Sequence, residues 1–400
     1  MKYLIVIGSG LTDQPIAERD NKTPLQLAET PNLDRWARIS RTGSVRTIPQ
    51  NLHTGNDVSL LALLGYDPGV YHSGSAAFSA AALGVNVGAG EVPLCCDFVQ
   101  LQSSHNDMVM KDFTAGNLSS EKSRVLLAAL QEQIADSPVR FYPGAGHHNL
   151  MVIESAPFDG RLNPPMELIG EGIRQFMPDG GEFKELVYIM NQAQIILHNH
   201  PYNRSRQREG KDTVNSVWLW GNGQQRTLPP FAEIFGKQGV IVTSSLIFQG
   251  MGKSAAMDIR DIKESNGGAN HGNAGKVNAA LGELENRDVV YLHVDDIEEI
   301  SLKGNLDDKV LALEDFDHEV AGPLLDAVEK RNDVKMLLVV NHAASANLMK
   351  YTKDDVPFLV YPAVSGAGTA RQFDEALLKD NPNHFQTGQD LIAAFLKDRL

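Results

Sequence analysis

Four side chains of types that commonly bind metals lie where an α/β fold would bring them together: His53, Asp57, Glu298 and His342. Imidazole nitrogens and carboxylate oxygens are suitable ligands for a divalent cation. The alternative is that these histidines are hydrogen-bonded or face solvent, as scattered histidines usually are. Both interpretations remain open, and we expect the second.

A basic segment precedes Asn215 and contains Arg204, Arg206, Arg208 and Lys211. Guanidinium and ammonium groups in such a segment are suited to binding a small phosphorylated or other anionic ligand. A solvated hinge would have the same composition, and the pattern does not decide between the two.

Short runs of apolar, β-branched residues occupy positions 3–7, 239–243, 289–294 and 336–340, and each ends in small or polar residues. Continuous runs of this kind suit strands buried on both faces, which predicts an α/β fold with a mostly parallel sheet covered by helices. Ligands of such sheets bind beyond the carboxyl ends of the strands, so the polar residues there mark the expected site. The acidic run at 295–299 is expected to form a solvated loop.

Capping residues mark the predicted helices. Thr30 is a favourable N-cap with Pro31 at the first helical position, which predicts a helix reaching residue 41. A short helix is predicted over 57–64, before Gly65. Apolar residues every three or four positions predict a core-facing helix over 307–330.

Four hundred residues are more than one hydrophobic core usually spans, which predicts two domains. Between residues 91 and 212, strand-like pieces alternate with helices and Pro/Gly turns. This pattern predicts a smaller α+β cap domain over 91–212. It would be inserted into a core domain formed by 1–90 and 213–400, with the core resuming at a strand over 215–221.

The formal net charge of −14 argues against nucleic acid or an anionic membrane as a partner, because both would be repelled. The two cysteines, Cys95 and Cys96, are adjacent and therefore poorly placed for a disulfide with each other. The first apolar run is too short for a signal peptide, and none reaches the roughly 20 residues of a membrane span. We expect a cytoplasmic protein.

An ordered set of strings over nearly the whole chain resembles the archaeal-type branch of the cofactor-independent phosphoglycerate mutases, in the alkaline phosphatase superfamily. The strings include Lys22-Thr23-Pro24-Leu25, Thr30-Pro31-Asn32-Leu33-Asp34, Leu63-Leu64-Gly65-Tyr66-Asp67-Pro68, Ala80-Ala81-Ala82-Leu83-Gly84, Phe141-Tyr142-Pro143-Gly144, His200-Pro201-Tyr202-Asn203 and Leu313-Glu314-Asp315-Phe316-Asp317. The resemblance implies an alkaline-phosphatase-like core. It also implies a reaction that interconverts 3- and 2-phosphoglycerate through a phosphoserine, with two divalent metals (Mn, Zn or Mg).

Most positions to which the resemblance assigns chemistry have changed. The nucleophile string Gly-Ser-Asp is Gly55-Asn56-Asp57 here, so Asn56 stands at the nucleophile position beside Asp57, a candidate catalytic residue. The positions that correspond to metal ligands are Ser9, Glu298, Leu302, Asn341, His342 and Tyr351. Of these, His342 alone is unchanged, and Glu298 keeps a carboxylate on a longer side chain.

The substrate positions are altered too. The family's Tyr-Arg-His string is His147-His148-Asn149, which leaves His148 as a candidate substrate-binding residue. The basic segment corresponds to a family region that contacts the phosphorylated substrate. The resemblance therefore implies substrate-binding roles for Arg204, Arg206, Lys211 and Asn215.

These replacements predict a loss of the family's chemistry. The amide nitrogen of Asn56 is neither nucleophilic nor deprotonable near neutral pH, and Thr54 would place a hydroxyl several ångströms away. With most metal ligands replaced, no cofactor is expected. We expect a non-catalytic homologue. The alternative is an active mutase, or a related metal-dependent phosphotransferase, with a rebuilt site.

Overall fold

The structure is a computed structural model that describes residues 1–104, 107–134, 138–155, 160–224, 226–262, 272–363, 372–379 and 382–400. Its contacts divide the chain into two compact units. The first unit comprises Met1–His72 and Thr227–Leu400, and the second comprises Ser73–Arg226.

Strands and helices alternate along most of the chain. The strands are β1 (Lys2–Gly8), β2 (Arg41–Val45), β3 (Glu91–Ser104), β4 (Asp107–Asp112), β5 (Val139–Pro143), β6 (Asn149–Glu154), β7 (Ser216–Trp220), β8 (Gly239–Thr243), β9 (Asp258–Asp261), β10 (Val289–Val294), β11 (Val334–Val340), β12 (Ala344–Ser345), β13 (Lys350–Tyr351), β14 (Val356–Tyr361) and β15 (His384–Phe385). The α-helices are α1 (Pro24–Leu27), α2 (Pro31–Ile39), α3 (Asn56–Leu63), α4 (Pro68–Tyr71), α5 (Ser75–Leu83), α6 (Ser120–Gln133), α7 (Lys184–Asn199), α8 (Pro201–Arg208), α9 (Phe231–Phe235), α10 (Leu246–Ser254), α11 (Asn273–Glu283), α12 (Asp296–Leu302), α13 (Leu306–Phe316), α14 (Gly322–Val328) and α15 (Gly388–Leu396). Short 3₁₀ turns lie at Ala17–Arg19, Pro165–Leu168, Ile173–Phe176, Gly181–Phe183 and Glu375–Leu378. Within the described ranges, no helix is long and apolar enough to cross a membrane.

The first unit is built on an eight-stranded sheet in the order β15-β2-β14-β11-β1-β10-β8-β9. The five strands from β11 to β9 are parallel neighbours, while β14 runs antiparallel to both β11 and β2. The central strands β1, β10 and β11 are almost wholly buried, as expected for a sheet covered on both faces. The predicted α/β fold with a mostly parallel sheet is confirmed.

The register of the central strands sets the position of the polar residues that follow them. Gly8 of β1 lies opposite Val294 of β10 and Val340 of β11. Because the three strands are parallel and end level with one another, the next residues emerge side by side at one edge of the sheet. Ser9 and Asn341 are among them.

Helix α2 begins at Pro31 as predicted, but the side chain of Thr30 makes no capping hydrogen bond. Instead, the carboxylate of Asp317 accepts the backbone N–H groups of Leu33 at 2.7 Å and Asn32 at 3.2 Å. A residue far along the chain therefore performs the capping role that local pattern assigned to Thr30.

The helix predicted over 307–330 is present but is not uniform. A π-helical turn, Asp317–Ala321, joins α13 to α14. Pro323, at the start of α14, has no N–H to donate, and its ring would clash with the carbonyl four residues earlier. Widening of the helix at this point accommodates the proline.

The second unit contains a five-stranded sheet in which β3 pairs with β4, β6 and β7, and β6 pairs with β5. Helix α5 packs against β3. Strand β7, where the core was predicted to resume, pairs antiparallel with β3, and Cys95 lies opposite Trp220. The unit therefore extends over Ser73–Arg226 rather than the predicted 91–212.

Candidate functional site

Asn56 begins α3, and both polar atoms of its side chain are hydrogen-bonded. Its Nδ2 donates to Oε1 of Glu298 at 2.5 Å. Its Oδ1 accepts from Nδ2 of Asn341 at 2.7 Å and from Nε2 of His342 at 2.8 Å. The fold thus brings four residues together at the carboxyl end of the sheet.

The backbone determines how these side chains are oriented. Oδ1 of Asn341 accepts the backbone N–H of His342 at 2.7 Å and that of Gly10 at 3.4 Å. Nδ2 of Asn341 must therefore be the atom that faces Asn56 and donates to it. Because Asn56 presents its oxygen in that direction, its own Nδ2 faces Glu298. The hydrogen bonds therefore allow only one orientation of the Asn341 and Asn56 side-chain amides.

His342 is a neutral hydrogen-bond donor in this network. Burial lowers the pKa of His342 to about 3, so the ring carries one proton near neutral pH. Oδ1 of Asn56, 2.8 Å from Nε2, and the carbonyl oxygen of Ala343, 3.3 Å from Nδ1, can both only accept. The shorter contact assigns the proton to Nε2. The ring also packs against Tyr351, with the two centroids 4.2 Å apart.

Glu298 lies in the first turn of α12 and is only 5% exposed. The expectation of a solvated loop at 295–299 is therefore wrong, because α12 packs this carboxyl group into the interior. Its Oε1 accepts from Asn56 and from the hydroxyl of Tyr351. Its Oε2 is buried without a hydrogen bond to any described residue. Burial, opposed by the bond from Tyr351, raises the pKa of Glu298 to about 7.

Ser9 is fully buried and belongs to a separate set of hydrogen bonds. Its hydroxyl lies 2.9 Å from Nε2 of His293, whose Nδ1 lies 3.0 Å from the hydroxyl of Thr243. Burial lowers the pKa of His293 to about 4. Sequence reasoning treated His293 only as part of a strand, since a single histidine within an apolar run carries no functional signal.

A lysine side chain provides a positive charge at this edge of the sheet. Nζ of Lys276, on α11, lies 3.0 Å from Oδ1 of Asp295, and the lysine side chain is only 3% exposed. Burial disfavours the ionised carboxyl, but Lys276 outweighs this effect and the pKa of Asp295 falls to about 2. Lys276 could not be identified from the sequence, because one lysine on a helix usually faces solvent.

The residues at the family's metal positions do not fit two divalent ions. A divalent ion takes roughly four to six donor atoms. Leu302 offers none, Asn341 and Asn56 bond each other, and Nε2 of His342 carries its proton. Ser9 bonds to His293 instead. The donors that remain are a single carboxyl group and one phenol.

The four residues that the sequence suggests as a possible metal site form two separate groups. His342 and Glu298 lie in the Asn56 network. His53 and Asp57 join His72 instead, with Nε2 of each histidine against the carboxylate at 3.1 and 2.7 Å. Burial disfavours the charged form of Asp57, yet His72 and His53 hold its pKa well below the usual range. His72 was missed because a lone histidine after a short helix gives no signal.

The basic segment forms α8 and the turn that follows it. Arg204 and Lys211 are exposed, and Arg206 is partly buried. Arg206 donates to the main-chain carbonyl of Asp212, while Nζ of Lys211 lies 2.7 Å from Oε2 of Glu209. The acidic neighbour reduces the positive charge offered by Lys211. An anion-binding role for this segment stays a prediction.

The other two candidate substrate residues have structural partners in the second unit. Nδ1 of His148 lies 3.1 Å from Oδ2 of Asp97, which also accepts the indole N–H of Trp220 at 2.9 Å. Asn215 exchanges two hydrogen bonds with the backbone of Leu101, at 2.7 and 2.8 Å. These contacts support the local sheet, and the substrate roles remain predictions.

Comparison with known proteins gives matches over the whole chain. Residues 37–203 match the family described as 2,3-bisphosphoglycerate-independent phosphoglycerate mutase. A Geobacter sulfurreducens protein named as a probable enzyme of that kind is 36% identical over 94% of this chain and 95% of its own length. A Methanosarcina barkeri protein named as such a mutase is 32% identical over 99% of this chain and all of its own length.

Solved structures support the fold. The PH0037 protein from Pyrococcus horikoshii covers 100% of this chain and 98% of its own, with a TM-score of 0.74 and 21% identity. A cofactor-independent phosphoglycerate mutase from Thermoplasma acidophilum covers 99% of both chains, with a TM-score of 0.56 and 23% identity. At these identities the similarity shows the fold alone.

Proposed function

Because the chain belongs to the 2,3-bisphosphoglycerate-independent phosphoglycerate mutase family, we propose that it is a member that does not catalyse the mutase reaction. It would keep the fold and act as a binding or regulatory protein. The observation that carries this proposal is the Asn56 side chain, which bonds to Glu298, Asn341 and His342.

The chemistry of Asn56 supports the proposal directly. An amide nitrogen has no lone pair available for attack on phosphorus and cannot form a phosphoester. Both polar atoms of the amide are already engaged by neighbouring side chains. Even an incoming phosphate would have to break these buried hydrogen bonds before reaching the position.

The charge balance of the site also supports the proposal. Carboxylates that cluster around metals repel one another when the cations are absent. Here Asn341 and His342 are neutral, and the raised pKa of Glu298 allows it to be neutral too. The carboxylate of Asp295 is paired with Lys276. The Asn56 network is therefore balanced without an added cation, and Asp57 belongs to a separate group with His53 and His72.

The ligand in this proposal is a small phosphorylated or other anionic molecule, bound through Arg204, Arg206 and Lys211. Support comes from the basic composition of this segment and from the exposure of Arg204 and Lys211. The proposal includes a cytoplasmic location, which suits two buried cysteine thiols on β3. Neither nucleic acid nor an anionic membrane is expected as a partner, because the net charge is −14.

The alternative is an active mutase or related phosphotransferase with a rebuilt site. It is favoured by the relatives, two of which carry mutase names at 36% and 32% identity over nearly the whole chain. In that case a group other than the Asn56 amide must supply the nucleophile.

The deciding experiment is an assay of the purified full chain for conversion of 3-phosphoglycerate to 2-phosphoglycerate, with Mn²⁺, Zn²⁺ or Mg²⁺ added in turn. The Methanosarcina barkeri relative, assayed in parallel, is the positive control. We expect no turnover above background by this chain under conditions in which the relative is active. Turnover above background would overturn the proposal, whether or not Asn56→Ala abolishes it.

Ligand binding is tested separately by the shift in melting temperature with 3-phosphoglycerate and with inorganic phosphate. We expect a stabilising shift that is lost in Arg204→Ala/Arg206→Ala. No shift with either compound, or an equal shift in the double variant, would remove the anionic-ligand part of the proposal and leave the catalytic part standing.

A further inference from the structure

Three side chains of the first unit converge outside the Asn56 network. Nε2 of His53 lies 3.1 and 3.2 Å from the two carboxylate oxygens of Asp57. Nε2 of His72 lies 2.7 Å from Oδ2 of the same carboxylate. One ligand atom from each residue can be chosen so that all three lie within 4.8 Å of one another.

The local structure holds these groups in place. Asp57 lies in the first turn of α3, with His53 four residues before it, and His72 directly follows α4. Gly55 packs against the group: a Cβ at this position would lie 2.6 Å from Oδ1 of Asp57 and 3.3 Å from the ring of His53. A side chain at residue 55 would therefore displace the carboxylate.

The spacing matches that of ligands around one small cation. Zn²⁺ lies about 2.0–2.2 Å from imidazole nitrogen and carboxylate oxygen, so adjacent donor atoms of a tetrahedral or octahedral site are roughly 3.0–3.5 Å apart. The observed nitrogen–oxygen distances of 2.7–3.2 Å approach this range. The two imidazole nitrogens lie within 4.8 Å of each other, so the histidine rings need only rotate toward a common ion.

The group is also reachable from solvent. The side chains of His53 and His72 are 18% and 12% exposed, whereas that of Asp57 is 8% exposed. Water can therefore complete the coordination of an ion held by three protein ligands. Two imidazoles and one carboxylate form a donor set that suits Zn²⁺, Co²⁺, Ni²⁺ or Fe²⁺ better than Mg²⁺ or Ca²⁺.

We propose that His53, Asp57 and His72 bind one divalent first-row transition-metal ion, with Zn²⁺ as the representative. Each Nε2 presents its lone pair to the ion, and the proton it shares with Asp57 moves to Nδ1 or to solvent. The site goes beyond the proposed function, because it includes none of the residues of the Asn56 network and implies no mutase turnover.

A second group, Asp97 with His147 and His148 in the other unit, has three potential ligands of the same kinds. It is the weaker candidate. The carboxylate of Asp97 is only 1% exposed, compared with 8% for Asp57, so water reaches it less readily to complete the coordination of an ion. His147 and His148 are adjacent, with ring centroids 3.8 Å apart and ring planes tilted by 41°, so the two rings contact each other. This group provides a matched control.

The test measures Zn²⁺ binding by the full chain after treatment with EDTA and extensive dialysis. Titration calorimetry and metal analysis after gel filtration give affinity and stoichiometry, and Co²⁺ absorption reports the ligand environment. We expect one tight site that millimolar Mg²⁺ does not displace. His53→Gln and His72→Gln should each weaken it about 100-fold or more, since loss of even an outer partner costs roughly 10–100-fold.

The controls are His198→Gln, at an exposed histidine of α7, and His148→Gln in the second group. Both should bind Zn²⁺ like the unmodified chain, and the circular dichroism melts of all four variants should show folded protein. The proposal would be overturned if the unmodified chain bound no stoichiometric Zn²⁺, or if the His53→Gln and His72→Gln variants bound Zn²⁺ as tightly as the unmodified chain. Loss of the site in His148→Gln alone would also overturn it. None of these outcomes bears on the mutase assay.

Discussion

The side-chain amide of Asn56 donates to the carboxyl group of Glu298 over 2.5 Å, linking α3 to α12. In the family resemblance these two positions belong to the phosphorylated nucleophile and to a metal ligand. The contact joins them directly through a hydrogen bond. Their side chains therefore contribute to the stability of the fold.

Asn56→Ser restores the family's residue at the nucleophile position, and we expect it to produce no mutase turnover. A serine hydroxyl needs activation by metals, and the residues at the metal positions remain unsuited to them. The assay is conversion of 3-phosphoglycerate with added Mn²⁺. Turnover by this single variant would show that the remaining residues do assemble a metal site.

The same variant should lose stability, because Glu298, Asn341 and His342 each lose a buried hydrogen-bond partner. A buried polar group left without a partner costs about 1–3 kcal/mol. Urea denaturation gives the free energy of unfolding, and Asn199→Ser at an exposed asparagine is the matched control. Equal stability of the two variants would contradict the network described here.

Glu298→Gln should alter how stability depends on pH. The pKa of Glu298 rises from an ordinary 4.5 to about 7 in the folded chain, so folding favours the protonated form. That stabilisation is fully present below pH 4.5 and is lost as the pH rises through 7. Between these limits the loss amounts to on the order of 3 kcal/mol.

The measurement is the free energy of unfolding at several pH values from 4.5 to 8.5. Glutamine cannot ionise, so Glu298→Gln should gain stability relative to the unmodified chain as the pH rises. Glu299→Gln, at a neighbouring side chain that is 43% exposed, is the control and should leave the pH dependence unchanged. Parallel pH profiles for the unmodified chain and Glu298→Gln would refute the prediction.

Lys309→Met should be strongly destabilising. Lys309 and Asp13 form an ion pair at 2.9 Å, and both side chains are fully buried. The same ammonium donates to the carbonyl of Ala344 at 2.6 Å, close to the site. Removing one partner leaves a buried carboxylate uncompensated, which costs about 3–5 kcal/mol.

The control for this pair is Arg19→Met, which breaks a solvent-exposed pair with Asp307. An exposed pair contributes about 0–1 kcal/mol, so this change should be nearly neutral. The double variant Lys309→Met/Asp13→Asn should recover part of the loss, because no buried charge remains. Similar losses in Lys309→Met and Arg19→Met by urea denaturation would rule out the predicted role of burial.

Asp317→Ala should cost about 1–2 kcal/mol, as expected for loss of a capping side chain. Its carboxylate accepts the backbone N–H groups of Asn32 and Leu33 at the start of α2. Thr30→Ala is the informative comparison, because Thr30 makes no side-chain capping bond and should lose less. A larger loss in Thr30→Ala would favour the local cap predicted from the sequence over the observed one.

Local pattern was sufficient to predict the sheet of the first unit. The buried runs at β1, β8, β10 and β11 are continuous and β-branched, and such runs pack in one way, between two layers of helices. The polar residues after them then had to emerge at one edge. Asn341 and His342 could therefore be expected at that edge from local pattern, whereas the family resemblance was needed to place Asn56 with them.

The partners of those residues depended on contacts between distant segments. The sequence shows Glu298 as one acid in a polar run, and its burial in α12 sets its pKa. Lys276, His72 and Asp317 carry no local signal, because each acts on a residue elsewhere in the chain. Strand β7 pairs antiparallel with β3, a contact between distant segments that places it in the second sheet.

By itself the sequence determined the fold, the family and the types of side chain at the carboxyl edge of the sheet, since these depend on local periodicity and residue identity. The tertiary structure decided which of those side chains are neutral, which are paired and which converge as potential ligands. Charge state and hydrogen bonding depend on burial and on distances between segments far apart in the chain, and local pattern does not encode them.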